Sequence, residues 1–237
     1  MLILGITTST MQVGCAIGGH EGVLASVHIS RGKRHAEALA PAIDFLRTQA
    51  RIDLDEIGCV AVDVGPGLFT GLRVGIATGK AMAHALRVPM IGVSSLDLVA
   101  FPVRWSPRLV VVALDARRGE VFTTRYRQVP GGIQRLVEAT VGSPDDLAGD
   151  LVATGEDVLL VGDGAVRYRD TFAELGQVEV GDQGLAHPSA ASLVQLAHAR
   201  ALREEFVQPS HLEPVYLRKP DAEVNWTTRD GAPVEPA

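Results

Sequence analysis

Between residues 65 and 84 the chain reads Gly-Pro-Gly-Leu-Phe-Thr-Gly-Leu-Arg-Val-Gly-Ile-Ala-Thr-Gly-Lys-Ala-Met-Ala-His, and no other stretch limits the fold as tightly. The apolar run Cys59-Val-Ala-Val-Asp-Val64 before it predicts a buried strand, which two glycines and a proline then turn. Thr70 is a residue type whose oxygen accepts orphan amide hydrogens, so the helix is expected to start there. On that helix Gly71, Gly75, Gly79 and Ala83 fall four apart and share one face. A mid-helix glycine costs about 1 kcal/mol relative to alanine, and close approach of another backbone is the usual compensation. Two readings stand open. The face packs on the chain's own sheet, or it meets a helix of another chain, with Leu72 and Ile76 beside it adding apolar area.

The rest of the chain falls into two similar halves. Residues 2–7, 12–18 and 22–29 read as three strands. A helix over Ala36–Leu46 follows, with Leu39, Ile43 and Leu46 at helical spacing and a kink or late start expected at Pro41. The strand at 58–64, the glycine helix, a strand near Val88–Gly92 and a helix from Ser94 or Ser95 complete the first half. Pro102 to Pro107 marks a boundary. Beyond it, strands are expected at Leu109–Leu114, Glu120–Tyr126 and Ile133–Val141, then one or two helical turns at Asp145–Gly149. A strand at Asp157–Val161, a helix through Tyr168 and Phe172 and a final helix over Ser189–Phe206 close the series. Three strands, a helix, a strand and a helix, given twice, predict an α/β protein with mixed sheets in two lobes around a cleft. That layout is the actin-like ATPase and sugar-kinase fold, with lobes at 1–103 and 104–220 and a loose tail at 221–237.

Several function classes fall away. The net charge of −6 gives no strong electrostatic footprint for nucleic acid, so any such contact is expected through a partner. No apolar run reaches the roughly 18 residues of a membrane span. The N-terminus lacks a basic leader, and Cys15 and Cys59 sit in apolar strand patterns, which predicts buried free thiols and a reducing cytoplasm. A phosphate-binding P-loop fails at both ends: Val74 stands where its first glycine belongs, and Ala81 where its hydroxyl residue belongs. A looser anion site using amides near Thr70 and Gly71 remains physically open. None of the seven histidines forms an i, i+4 pair, no Cys-x-x-Cys occurs, and no Gly-x-Ser-x-Gly elbow is present. Asp115-Ala-Arg-Arg-Gly-Glu120 follows a very apolar strand, which fits either a cleft residue set or a charged hairpin turn.

Gly65-Pro-Gly-Leu-Phe-Thr-Gly-Leu-Arg-Val-Gly75, with Arg34-His-Ala-Glu37 upstream, resembles the TsaB (YeaZ) family. Gly92-Val-Ser-Ser-Leu96, Asp115-Ala-Arg-Arg118, Gly162-Asp-Gly164, His187-Pro-Ser-Ala190 and Tyr216-Leu-Arg218 extend the resemblance over about the first 220 residues. It implies a non-catalytic dimerisation subunit that pairs with the paralogue TsaD, with TsaE in the larger complex, for threonylcarbamoylation of the tRNA adenosine beside the anticodon. It also implies that tRNA is met only indirectly. In TsaD the corresponding segment reads roughly Gly-Val-Asn-His-x-x-x-His, both histidines binding metal; Ser95 and Val99 stand at those places here. Thr7 likewise takes the place of the aspartate that helps hold hydrated magnesium in actin-like ATPases.

No metal and no cofactor is therefore expected on this subunit alone, ATP and magnesium entering only with the assembled complex. Gly71, Leu72, Gly75, Ile76, Gly79 and Ala83, with His35 and Leu39, form the expected partner interface, and a homodimer could use the same face. Leucine at Gly75 and Gly79 is expected to abolish association with the fold intact. Thr70, Asp115 and Arg118 are the candidate anion or nucleotide contacts. The competing class is an enzyme acting on its own, an actin-like ATPase or kinase or a glycoprotease-type metallopeptidase.

Overall fold

Strands whose residues are apolar on both faces belong inside a covered sheet, and the first half of the chain supplies them. The computed structural model describes residues 1–30 and 35–218; Arg34 and the tail at 221–237 lie outside the described residues. β1 (Leu2–Thr7), β2 (Val13–Gly19) and β3 (Gly22–Ile29) form an antiparallel meander. β4 (Ile57–Gly65) and β5 (Met90–Ser94) join it in parallel, giving the order β3-β2-β1-β4-β5. β1 and β4 are buried almost throughout, whereas β3, at the edge, alternates.

α1 (His35–Ala50) and α2 (Phe69–Leu86) cover one face of this sheet through Leu39, Ile43, Leu46, Ile76 and Ala83. Pro41 sits inside α1 without delaying its start. α2 begins at Phe69 with Leu68 as its cap, so Thr70 lies one residue inside the helix rather than capping it. α3 (Ser95–Ala100) follows β5.

The second sheet repeats the first. β6 (Leu109–Arg117), β7 (Glu120–Val129) and β8 (Gly132–Arg135) are antiparallel, and β10 (Val158–Val161) and β11 (Val178–Val180) add in parallel, in the order β11-β10-β6-β7-β8. The run expected as one strand over Ile133–Val141 is divided: β9 (Thr140–Gly142) returns to pair with the start of β7. α4 (Pro144–Thr154) is longer than the one or two turns expected; the Ser143 hydroxyl accepts the Asp146 N–H at 3.0 Å and Gly155 closes it in the left-handed region. α5 (Asp163–Arg167) and α6 (Arg169–Phe172) share the crossover to β11.

α7 (Ala190–Ala201) ends earlier than the periodicity to Phe206 predicts, and it does not stay with the second sheet. Ala190, Leu193, Val194 and Ala197 pack on Ile3, Ala16, Cys59 and Ala61, the remaining face of the first sheet. In exchange, Leu96, Val99 and Ala100 of α3 pack with Val110, Val112 and Phe122 in the second lobe. The lobes are thus interlocked, in the architecture of actin-like ATPases and sugar kinases. Cys15 and Cys59 are free and buried, and burial pushes both thiols up to about 12.

Candidate functional site: the α2 helix and the cleft between the lobes

The β1–β2 turn is where the glycine helix makes its contacts. A Cβ on Gly71 would meet the Thr8 carbonyl oxygen, one on Gly75 the Thr8 hydroxyl, and one on Gly79 the Val62 side chain, all closer than 3.0 Å. Gly67 stands equally close to Ser9. The Thr8 hydroxyl donates to the Gly71 carbonyl at 2.8 Å, and the Leu68 N–H donates to the Ser9 carbonyl at 2.7 Å. The glycines therefore let α2 lie directly on the turn, which is the compensation their helix cost requires.

Of the two readings of this face, the structure carries the intramolecular one. Gly71, Leu72, Gly75, Ile76, Gly79 and Ala83 are all buried within the chain. His35 is buried too, its Nε2 donating to the Thr10 carbonyl at 2.8 Å, and Leu39 is a core residue. Leucine at Gly75 or Gly79 would collide with Thr8 or Val62, so it cannot leave the fold intact. What α2 turns outward is a different row: Thr70, Arg73, Ala77, Ala81 and Ala85 are exposed. The neighbouring α1 exposes Ala40, Pro41 and Phe45. The i, i+4 spacing of the alanines is legible in the sequence, but glycine draws the eye first.

Below the turn lies a carboxylate that periodicity alone does not single out. Asp63, in the otherwise apolar β4, is fully buried; its Oδ1 accepts from the Ser95 hydroxyl at 2.6 Å and the Gly65 N–H at 3.0 Å, and its Oδ2 accepts from the Ser9 hydroxyl. Burial raises its pKa to about 6 against the opposing pull of these donors. The cluster joins the β1–β2 turn, β4 and α3 at one point. It also fixes the fate of the two positions compared with metal ligands: Ser95 is fully buried and donates to Asp63, and Val99 lies in an apolar core.

Between the lobes opens a cavity of about 800 Å³. Thr70, Asp115 and Arg118 all line it, brought together from α2, the end of β6 and the β6–β7 turn, with Phe69, Phe122 and Tyr216 supplying aromatic surface. The β6–β7 turn is a charged hairpin turn and a cleft wall at once. Arg117 and Arg118 both hold left-handed backbone, at φ 64° and 57°, ahead of Gly119 at 77°. Asp115 lies between Arg117 at 3.2 Å and Arg167 at 3.7 Å. Its backbone N–H donates to Asp163 Oδ1 at 2.9 Å, and burial raises Asp163 to about 6. His187 Nδ1 lies 3.9 Å from Asp163 Oδ2 and is held below its usual pKa by burial.

These groups do not fit hydrated magnesium. Asp115 is flanked by two guanidinium groups, Asp63 is enclosed by hydroxyl donors, and Thr7 offers only a hydroxyl directed at the Gly14 carbonyl. Among the described residues no group of three or more His, Cys, Asp or Glu side chains could hold a metal ion, and no helix is long and apolar enough to cross a membrane.

Comparison with known proteins agrees with the motifs. Residues 22–226 match the family model described as TsaD, tRNA N6-adenosine threonylcarbamoyltransferase. The Escherichia coli protein named tRNA threonylcarbamoyladenosine biosynthesis protein TsaB is 30% identical over 92% of this chain and 95% of its own length. The uncharacterized protein ML0378 of Mycobacterium leprae is 35% identical over 98% of this chain, which spans only 58% of that relative. A Pseudomonas aeruginosa crystal structure, described as similar to peptidase YEAZ, superposes with a TM-score of 0.80 at 27% identity, covering 92% of this chain and 99% of that one. On these matches, and on a duplicated fold that carries the family's glycine turn and helix, the chain belongs to the TsaB (YeaZ) family of tRNA threonylcarbamoyladenosine biosynthesis proteins.

Proposed function

We propose that this chain is the non-catalytic scaffold subunit of the tRNA threonylcarbamoylating complex, pairing in the cytoplasm with a TsaD-type catalytic paralogue and activating it. The observation that carries the reading is the state of Ser95 and Val99. Where the catalytic paralogue is expected to present two histidines to a metal, this chain has a hydroxyl bonded to Asp63 and an isopropyl group in a dry core. ATP and magnesium, with TsaE, belong on this reading to the assembled complex.

The docking surface we propose is the outward row of α2, Ala77, Ala81 and Ala85, with Ala40, Pro41 and Phe45 of α1. Small side chains let a partner helix approach closely, and Phe45 is 54% exposed, an apolar area otherwise left in water. The same row would serve a homodimer when the paralogue is absent. The test is co-elution with the organism's own TsaD on a sizing column. Ala77→Arg with Ala81→Arg, both at exposed positions, should abolish co-elution without changing the melting transition; undiminished co-elution would sink the docking assignment. Hydrolysis of ATP or peptide by the purified chain alone would overturn the non-catalytic reading.

A further inference from the structure

The segment from Leu212 to Arg218 has no regular structure, yet it touches both lobes. Leu212 is buried in the core of the first lobe. The Val215 N–H donates to the Val64 carbonyl at 2.7 Å, at the end of β4. Tyr216 stacks on Phe69 of α2 with ring centroids 5.1 Å apart, and its hydroxyl accepts from Arg73 Nε at 3.3 Å; Arg73 itself lies over the Phe69 ring. One residue on, the segment changes lobes. Leu217 packs against the core of the second lobe, and Arg218 Nη1 donates to Glu120 Oε2 of β7 at 2.6 Å. Residues 215–218 wall the cleft for the whole crossing.

The junction at α3 is of a different kind. α3 joins the lobes through Leu96, Leu98 and Ala100, all fully buried, so separating the lobes there would expose apolar core. Val215 and Tyr216 remain 42% and 39% exposed, and the Arg218 and Glu120 side chains 27% and 38% exposed. Contacts of this exposure are weak enough to break and re-form.

We infer that residues 212–218 are a latch across the cleft, with α3 as the fixed hinge: the Tyr216 stack and the Arg218–Glu120 pair hold the lobes at one angle and tie that angle to the N-terminal end of α2. Release of the latch widens the cleft and frees Phe69 and Arg73 together. This inference does not depend on the partner proposed above.

The experiment is a nitroxide–nitroxide distance measurement on the full chain, labelled at Ala40→Cys on α1 and Val152→Cys on α4, both exposed. Cys15 and Cys59 are buried and do not take the label. Tyr216→Ala with Arg218→Ala should raise a longer-distance population about tenfold, the combined effect of one aromatic contact and one partly exposed ion pair. An unchanged distance distribution in the folded double variant overturns the latch. Should that variant lose its circular-dichroism signal, the charge pair decides alone: Arg218→Glu should shift the distribution about two- to fivefold and Glu120→Arg in the same chain should restore it. No shift, or a shift without restoration, overturns the inference.

Discussion

The two lobes solve one packing problem twice, at different lengths. In the first, the helix after β4 lies through Gly71 and Gly75 on Thr8, the residue just after β1; in the second, Gly162 and Gly164 at the start of α5 lie on Ala113 of β6, the strand corresponding to β1. Close approach of a crossover helix to the first strand is therefore part of how each lobe is built. What differs is reach. α2 runs for 18 residues and keeps a second, outward row of small residues, whereas α5 ends after 5. The glycines are thus the common architectural device, and the length of α2 is what distinguishes the lobe proposed to dock a partner.

That comparison can be broken first at Gly162. It holds φ +114° and faces the Ala113 carbonyl, so Gly162→Ala adds backbone strain to overpacking and should cost about 4 kcal/mol in a denaturant titration. The buried carboxylates give the next test. Asp63 and Asp163 each rise from 3.8 to about 6 in the fold, so the folded state binds their protons more tightly than the unfolded chain does. Stability from each is fully present below about pH 4 and is lost as pH rises through about 6, by about 3 kcal/mol per group. Asp63→Asn should remove one share of that fall and leave the share of Asp163. Salt should change only the latter, because Asp163 faces Arg117 and Asp115 near the cleft while Asp63 is sealed.

Gly71→Ala should cost less than Gly162→Ala, about 2 kcal/mol, since the gain in helix propensity offsets part of the collision with Thr8. If the two glycines proved equally tolerant, the shared packing rule would fail. The smallest effect should be a gain. Gly149 lies inside α4 with open space where a Cβ would go, so Gly149→Ala should stabilise by about 0.4–1 kcal/mol in the same titration.

Much of this protein is legible in its residues. Apolar runs placed most of the strands, because a sheet covered on both faces needs side chains that tolerate burial on both. The repeated order of elements gave the two lobes, and spacing put Gly71, Gly75, Gly79 and Ala83 on one face. β11 escaped because Val178-Glu-Val180 is too short to show a period. Asp63 did not stand out: it is one acid in an apolar strand, and nothing local connects it to Ser9 and Ser95, which lie 54 and 32 residues away.

The chain by itself determined that a small-faced helix follows a buried strand and that some backbone must lie against it. Which backbone was a tertiary decision. Thr8 is 63 residues from Gly71, and the sheet had to bring β1 beside β4 before the glycines could close on the turn. The return of α7 to the first sheet and the crossing of residues 212–218 were decided in the same way. Local pattern encodes what each element can bury; only the assembled sheets fix what it buries against.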